Sequence, residues 1–167
     1  MTEQEQNDQY FMSLALEQGQ LAYDIGEVPV GAVVVLDGQV IGRGYNKPIT
    51  SLDPSAHAEV VALRDAAKNI SNYRVMGATL YVTIEPCTMC TGLLVHSRIK
   101  RLVYGTTEPK SGVIESAACL LDSPFFNHTI EAVGGVMAAE ASSLMSEFFA
   151  MRRESKKKLK QASKKAE

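Results

Sequence analysis

A chain of 167 residues, 46% hydrophobic and 22% charged, is long enough to bury a core and is ordinary for one soluble globular domain. No apolar run approaches the roughly 20 residues that cross a bilayer, and no N-terminal stretch resembles a signal peptide, so the expectation excludes a membrane role. Three cysteines without a disulfide spacing suit a reducing cytoplasm. The net charge of −2 hides an asymmetry. Residues 152–167 hold eight basic side chains against Glu154 and Glu167, while the first 151 residues hold 9 basic and 17 acidic ones. A basic tail on an acidic body attracts a polyanion such as RNA, or is a solvated terminus kept soluble by lysines.

Apolar positions at Phe11, Leu14, Ala15, Leu21, Ala22 and Ile25 predict a helix over residues 9–25, capped by Asn7 or Asp8 and ended by Gly26. Residues 28–36 predict a strand, Asp37-Gly38 a type I′ turn, and residues 39–42 the partner strand. Gly42, Gly44 and Asn46 read as breakers before a loop marked by Pro48, Asp53 and Pro54. Asp53 or Ser55 caps a predicted helix over residues 56–68, with His57 and Glu59 in its first turn. A strand over 78–84, a helix over 87–97 and a strand over 99–104 form a crossover unit with parallel strands. A polar loop, a short helix at 117–121, a short strand at 129–133 and a helix from 137 to beyond 151 complete the chain. This order implies an α/β fold with a mixed five-stranded sheet covered by helices on both faces. It divides into one domain over residues 1–151 and a basic helix end and tail over 152–167.

Cys87-Thr88-Met89-Cys90 opens a helix directly after a strand, with Pro86 expected at the first helical position. The two thiols fall on one face of the first turn, where backbone N–H groups and the helix dipole favour thiolates. One added imidazole makes a donor set for tetrahedral zinc with an open fourth position, the mark of a catalytic site. The same pair also reads as a thioredoxin-like dithiol, or as two cysteines without a role. His57-Ala58-Glu59 supplies an imidazole and an acid for proton transfer, and a dithiol oxidoreductase needs neither. Taken alone, His57 is a satisfied histidine and Glu59 a carboxylate complementing the helix dipole. Positions i and i+2 of a regular helix lie about 200° apart, so geometry has to decide whether both reach one metal.

His-x-Glu followed by Pro-Cys-x-x-Cys is a signature of the zinc deaminases of nucleosides and nucleobases. Residues 27–33, Asn46, residues 53–59, residues 78–87, His96-Ser97-Arg98-Ile99 and Phe148-Phe149-Ala150-Met151-Arg152-Arg153 extend the likeness over about residues 8–155. On these stretches the chain resembles the cytidine/deoxycytidylate deaminase superfamily and, within it, the bacterial tRNA adenosine deaminases. The resemblance implies a cytidine-deaminase-like three-layer α/β/α fold and hydrolytic deamination of adenosine to inosine at the wobble position of a tRNA anticodon. It implies one Zn²⁺ per subunit on His57, Cys87 and Cys90, with Glu59 carrying protons from water to the ring nitrogen and the leaving ammonia. Asn46 would hydrogen-bond the flipped base, although without the resemblance it is a turn asparagine. Arg152, Arg153 and Lys110 would meet phosphates of the anticodon stem-loop, or are solvated charges. The family also forms homodimers that complete the site across the interface. One departure is Glu108, followed by Pro109, in a substrate loop where the family usually carries aspartate. Cys119 reads as a buried small hydrophobe and His96 and His128 as structural. The alternatives are a deaminase of a free nucleobase or nucleotide, a Cys-x-x-Cys dithiol oxidoreductase, and a non-enzymatic zinc-stabilised module.

Overall fold

The computed structural model describes residues 1–166; Glu167, at the end of the basic tail, lies outside them. Five strands form one mixed sheet: β1 Gly31–Leu36, β2 Gln39–Tyr45, β3 Thr79–Ile84, β4 Arg101–Thr106 and β5 Glu131–Val133. Their order is β2-β1-β3-β4-β5. β1 runs antiparallel to β2 and β3, whereas β3, β4 and β5 are parallel, as the crossover unit requires. The helices are α1 Glu3–Asp24, α2 Pro48–Ser51, α3 Ala58–Ile70, α4 Thr88–Ser97 and α5 Ala138–Lys165. Alternate strand residues sort onto opposite faces. Ala32, Val34, Leu80, Val82, Leu102 and Tyr104 pack against Ala62, Leu63 and Ala66 of α3 and Leu94 and Val95 of α4. Val33, Val35, Tyr81 and Val103 pack against Phe11, Met12 and Ala15 of α1, and α5 lies against β4 and α1. The result is the three-layer α/β/α arrangement.

Several elements depart from the sequence expectation, each for a local reason. α1 begins well before residue 9 because Thr2 and Glu5 form a capping box, Thr2 Oγ1 accepting from Glu5 N at 3.1 Å and Glu5 Oε2 from Thr2 N at 2.7 Å. Asp8 is therefore no cap. It is 4% exposed and accepts two hydrogen bonds from the Arg101 guanidinium, at 2.6 and 2.8 Å, and one from Tyr81 Oη at 2.8 Å. That cluster fixes α1 to β3 and β4. The hairpin turn forms as expected, with φ of +51° at Asp37 and +74° at Gly38. β1 starts at Gly31 rather than at 28, and β2 continues through Gly42 and Gly44 instead of stopping there. A Cβ on either glycine would lie 2.4 Å from the backbone of Ala62, so these glycines are where α3 lies directly on the sheet. The Pro48 loop contains the one-turn helix α2. The helix expected at 117–121 reduces to a 3-10 turn, Leu120–Asp122, and Cys119 before it is exposed rather than buried. α5 stays helical to Lys165, carrying the basic side chains with it. Among the described residues no helix is long and apolar enough to cross a membrane.

Candidate metal and active site

Two helix N-termini converge beside the C-terminal end of β3. His57 is the N-cap of α3 and Cys87 the N-cap of α4, both extended, with ψ of 154° and 177°. Pro86 thus precedes the cap instead of opening the helix. Neither side chain is used in an N-cap hydrogen bond, so both are free to turn toward each other. His57 Nδ1 lies 3.7 Å from Cys87 Sγ and 3.6 Å from Cys90 Sγ. All three donor atoms lie within 4.8 Å of one another. Tetrahedral zinc with ordinary Zn–N and Zn–S lengths sets nitrogen and sulfur about 3.6 Å apart. The residues fit the metal.

The extended cap also resolves the helical-spacing objection, since His57 is not inside the helix that carries Glu59. Glu59 is 3% exposed and Cys90 fully buried, while His57 and Cys87 are half-buried. Hydrogen bonding with Cys90 and then His57 lowers the Cys87 thiol to about 4 against the effect of burial. Cys90 moves the opposite way, raised by its bond to Cys87, by burial and by Glu59. The Cys87 partner raises His57 despite burial. Burial pushes the Glu59 carboxyl up, opposed by Cys90. A divalent cation held by this donor set would make both sulfurs thiolates.

Asn46 follows β2, and its Oδ1 accepts a 2.8 Å hydrogen bond from the backbone N–H of Ala58. That bond fixes which way the amide faces and leaves its NH₂ group as donor. Glu108 is half-buried, and its Oε1 accepts from Lys110 N at 3.0 Å. With Ile84, Thr106, Phe149 and Arg153 it lines a cleft of about 330 Å³ at the C-terminal ends of β3 and β4. Arg152 belongs to a neighbouring cleft with Gly26, Ile49 and Lys156, and its guanidinium stands 5.7 Å over the Phe148 ring. Lys110 is exposed and lines neither cleft. A larger depression, about 700 Å³, runs along the basic part of α5 and is lined by none of the donor residues. Donor convergence therefore identifies the site, and cavity size does not.

Two further buried carboxylates have roles that the sequence motifs do not announce. Glu27, 2% exposed, accepts from Ile49 N at 3.3 Å and Thr50 N at 2.7 Å, anchoring α2. Glu85, 2% exposed, stands between β3 and Pro86 and gathers the backbone of residues 108–116. Despite burial, those donors hold its carboxyl below its usual value of 4.5. The only local sign of either role is an acidic residue next to an apolar strand. Of the two histidines outside the motif, His96 is exposed in the last turn of α4, and His128 Nε2 lies 2.6 Å from the carbonyl of Ile99.

Residues 5–106 match the model of the cytidine and deoxycytidylate deaminase zinc-binding region. The chain is 52% identical over 151 residues to a tRNA-specific adenosine deaminase of Haemophilus influenzae, spanning 90% of this chain and 87% of that protein. It is 41% identical to the tRNA-specific adenosine deaminase of Bacillus subtilis over 94% of this chain and 96% of that one. A solved structure from work on A-to-I editing by tRNA:A34 deaminases at the wobble position superposes with a TM-score of 0.79 at 41% identity, over 81% and 98% of the two chains.

Proposed function

The chain belongs to the cytidine and deoxycytidylate deaminase family and, within it, to the tRNA-specific adenosine deaminases, and we propose that it converts adenosine to inosine at the wobble position of a tRNA anticodon. The observation that carries this reading is the meeting of the His57, Cys87 and Cys90 donor atoms beside the buried Glu59. His57, Cys87 and Cys90 would hold one Zn²⁺ per subunit. When bound, zinc supplies Lewis acidity that lowers the pKa of water toward neutrality.

The remaining steps fall to the protein. Glu59 takes a proton from the attacking water and delivers it to N1 of the purine. It then carries the second proton to the departing amine, so that water and adenosine become inosine and ammonia. The low exposure of Glu59 keeps bulk water from short-circuiting that transfer. Asn46 holds the base by its NH₂ group, while its carbonyl remains on Ala58. The wobble base lies in a single-stranded loop, so presenting it costs less than extruding one from a duplex.

Arg152 and Arg153 meet RNA phosphates along the two clefts at the foot of α5, with Lys110 and Glu108 on the facing loop. We assign residues 1–151 to one catalytic domain and residues 152–167 to a basic arm for the same RNA. Exposed Leu52, Tyr73, Met76 and Phe125, each at least 71% exposed except Met76 at 65%, support a homodimer. With tRNA as substrate, we assign the enzyme to the cytoplasm. The free-nucleobase alternative lacks a use for the basic arm, and the dithiol alternative lacks one for His57 and Glu59. Zinc-loaded protein incubated with tRNA bearing adenosine at the wobble position, and in parallel with free adenosine, cytosine and guanine, separates them. Inosine in the tRNA alone is expected; release of ammonia from a free base without tRNA inosine would replace this reading by the alternative.

A further inference from the structure

We propose that Glu85 is a positioning residue for the substrate, setting the distance between the metal turn and the loop that meets the RNA. Its carboxylate is buried at 2% exposure and accepts from five donors of one loop. Oε1 takes Glu108 N at 3.0 Å and the Ser116 hydroxyl. Oε2 takes Ile114 N at 3.0 Å, Glu115 N at 2.9 Å and Ser116 N at 3.0 Å. Successive N–H groups closing on one charge make an anion nest, here filled by the protein's own carboxylate. The backbone of the same residue donates to Thr106 O at 2.9 Å, and Val113 N donates to Pro86 O at 3.0 Å. Gly112 crosses so closely that a Cβ there would stand 2.4 Å from Glu85 Cδ and 2.6 Å from Glu108 O.

The two ends of this brace have different work. One end lies two residues before Cys87. The other holds Glu108, which shares a cleft with Phe149 and Arg153. A loop tied by one side chain to the metal turn cannot drift while the donor cluster stays fixed. The role rests on the function proposed for the chain as an RNA deaminase.

Glu85→Gln tests it with little change of shape. The amide keeps one acceptor oxygen, which is best placed toward the three N–H groups of Ile114, Glu115 and Ser116. Its NH₂ then faces Glu108 N–H, two donors head to head, and the Glu108 tether is broken while Ser116 Oγ accepts instead. The expected result is KM for tRNA raised about tenfold, with kcat within about threefold of wild type and zinc still bound one per chain. Gly112→Ala displaces the loop with the carboxylate intact and should give the same KM rise. Ser116→Ala, which removes one bond only, gives a smaller rise and stands in if the other two fail to fold. Unchanged KM in the folded variants overturns the proposal, as does a Glu85→Gln protein that loses zinc or falls in kcat alone, for then Glu85 braces the metal turn and nothing more. A wild type that forms no inosine overturns the deaminase function and this role together; a wild type that does, with variants of unchanged KM, overturns this role only.

Discussion

Glu59 is the residue to which the proposed mechanism assigns the proton transfers. It sits at 3% exposure beside three donors that would hold the metal without it, so removing it should spare the metal and stop proton transfer. Glu59→Ala should lower kcat by about 10²–10⁴ or more, with zinc content and melting temperature near wild type. Cys90→Ala should act differently, releasing zinc and lowering stability as well, as read by metal analysis and thermal melting. The three donors that the structure brings together, and the buried Glu59, are legible in the sequence because the deaminase signature sets those side-chain types at fixed local spacing. Glu85 stands next to that motif and is not legible. Its partners lie 23–31 residues further on and are mostly backbone N–H groups, which carry no residue signature. Asn46 shows a mixed case: its residue type marks a turn, and only the fold reveals that its carbonyl accepts from the first N–H of the helix carrying Glu59.

At the scale of elements, the placement of α3 and α1 governs whether the site exists. α3 rests on Gly42 and Gly44 of β2, with no room for a methyl group. Gly44→Ala should push α3 outward, cost about 1–3 kcal/mol, and weaken zinc binding because His57 moves with the helix; denaturant titration and metal affinity check both. In the sequence alone those glycines look like breaks in a strand, since a close helix approach leaves the same residue type as a turn. The early start of α1 is readable in principle from Thr2-x-x-Glu5, but the apolar stripe that announces a helix begins only at Phe11. Asp8 then joins α1 to the sheet. Burial works against its charge, yet bonds from Arg101 and Tyr81 hold its carboxyl below its ordinary 3.8. A depressed carboxylate stabilises the fold fully above its unfolded value, and that stability is lost as pH falls through the folded one. Asp8→Asn should cost about 3 kcal/mol at neutral pH, a difference that shrinks below about pH 4 when urea midpoints are compared across pH.

For the whole molecule, charge separates body from arm. The acidic body carries the site, and α5 leaves it with Arg152, Lys156, Lys160 and Lys164 repeated every four residues along one face. Twelve residues of helix make that stripe about 18 Å long, a length that spans several phosphates of one strand. Composition shows the charge, and the structure adds that it is held on a continuous helix beginning beside the clefts. If the arm meets RNA, replacing Lys156, Lys160 and Lys164 by glutamine should flatten the plot of log affinity against log salt by about 0.7–0.9 for each phosphate no longer neutralised. A slope equal to wild type would leave the lysines solvated and the arm without an RNA role. The central claim is that this fold holds zinc beside Glu59 in order to deaminate a tRNA adenosine. The direct measurement is sequencing of tRNA with wobble adenosine after incubation with zinc-loaded wild type and Glu59→Ala side by side. The account predicts inosine at that one position with wild type and none with Glu59→Ala at equal zinc content. No inosine from zinc-loaded wild type, or equal inosine from both, would contradict it.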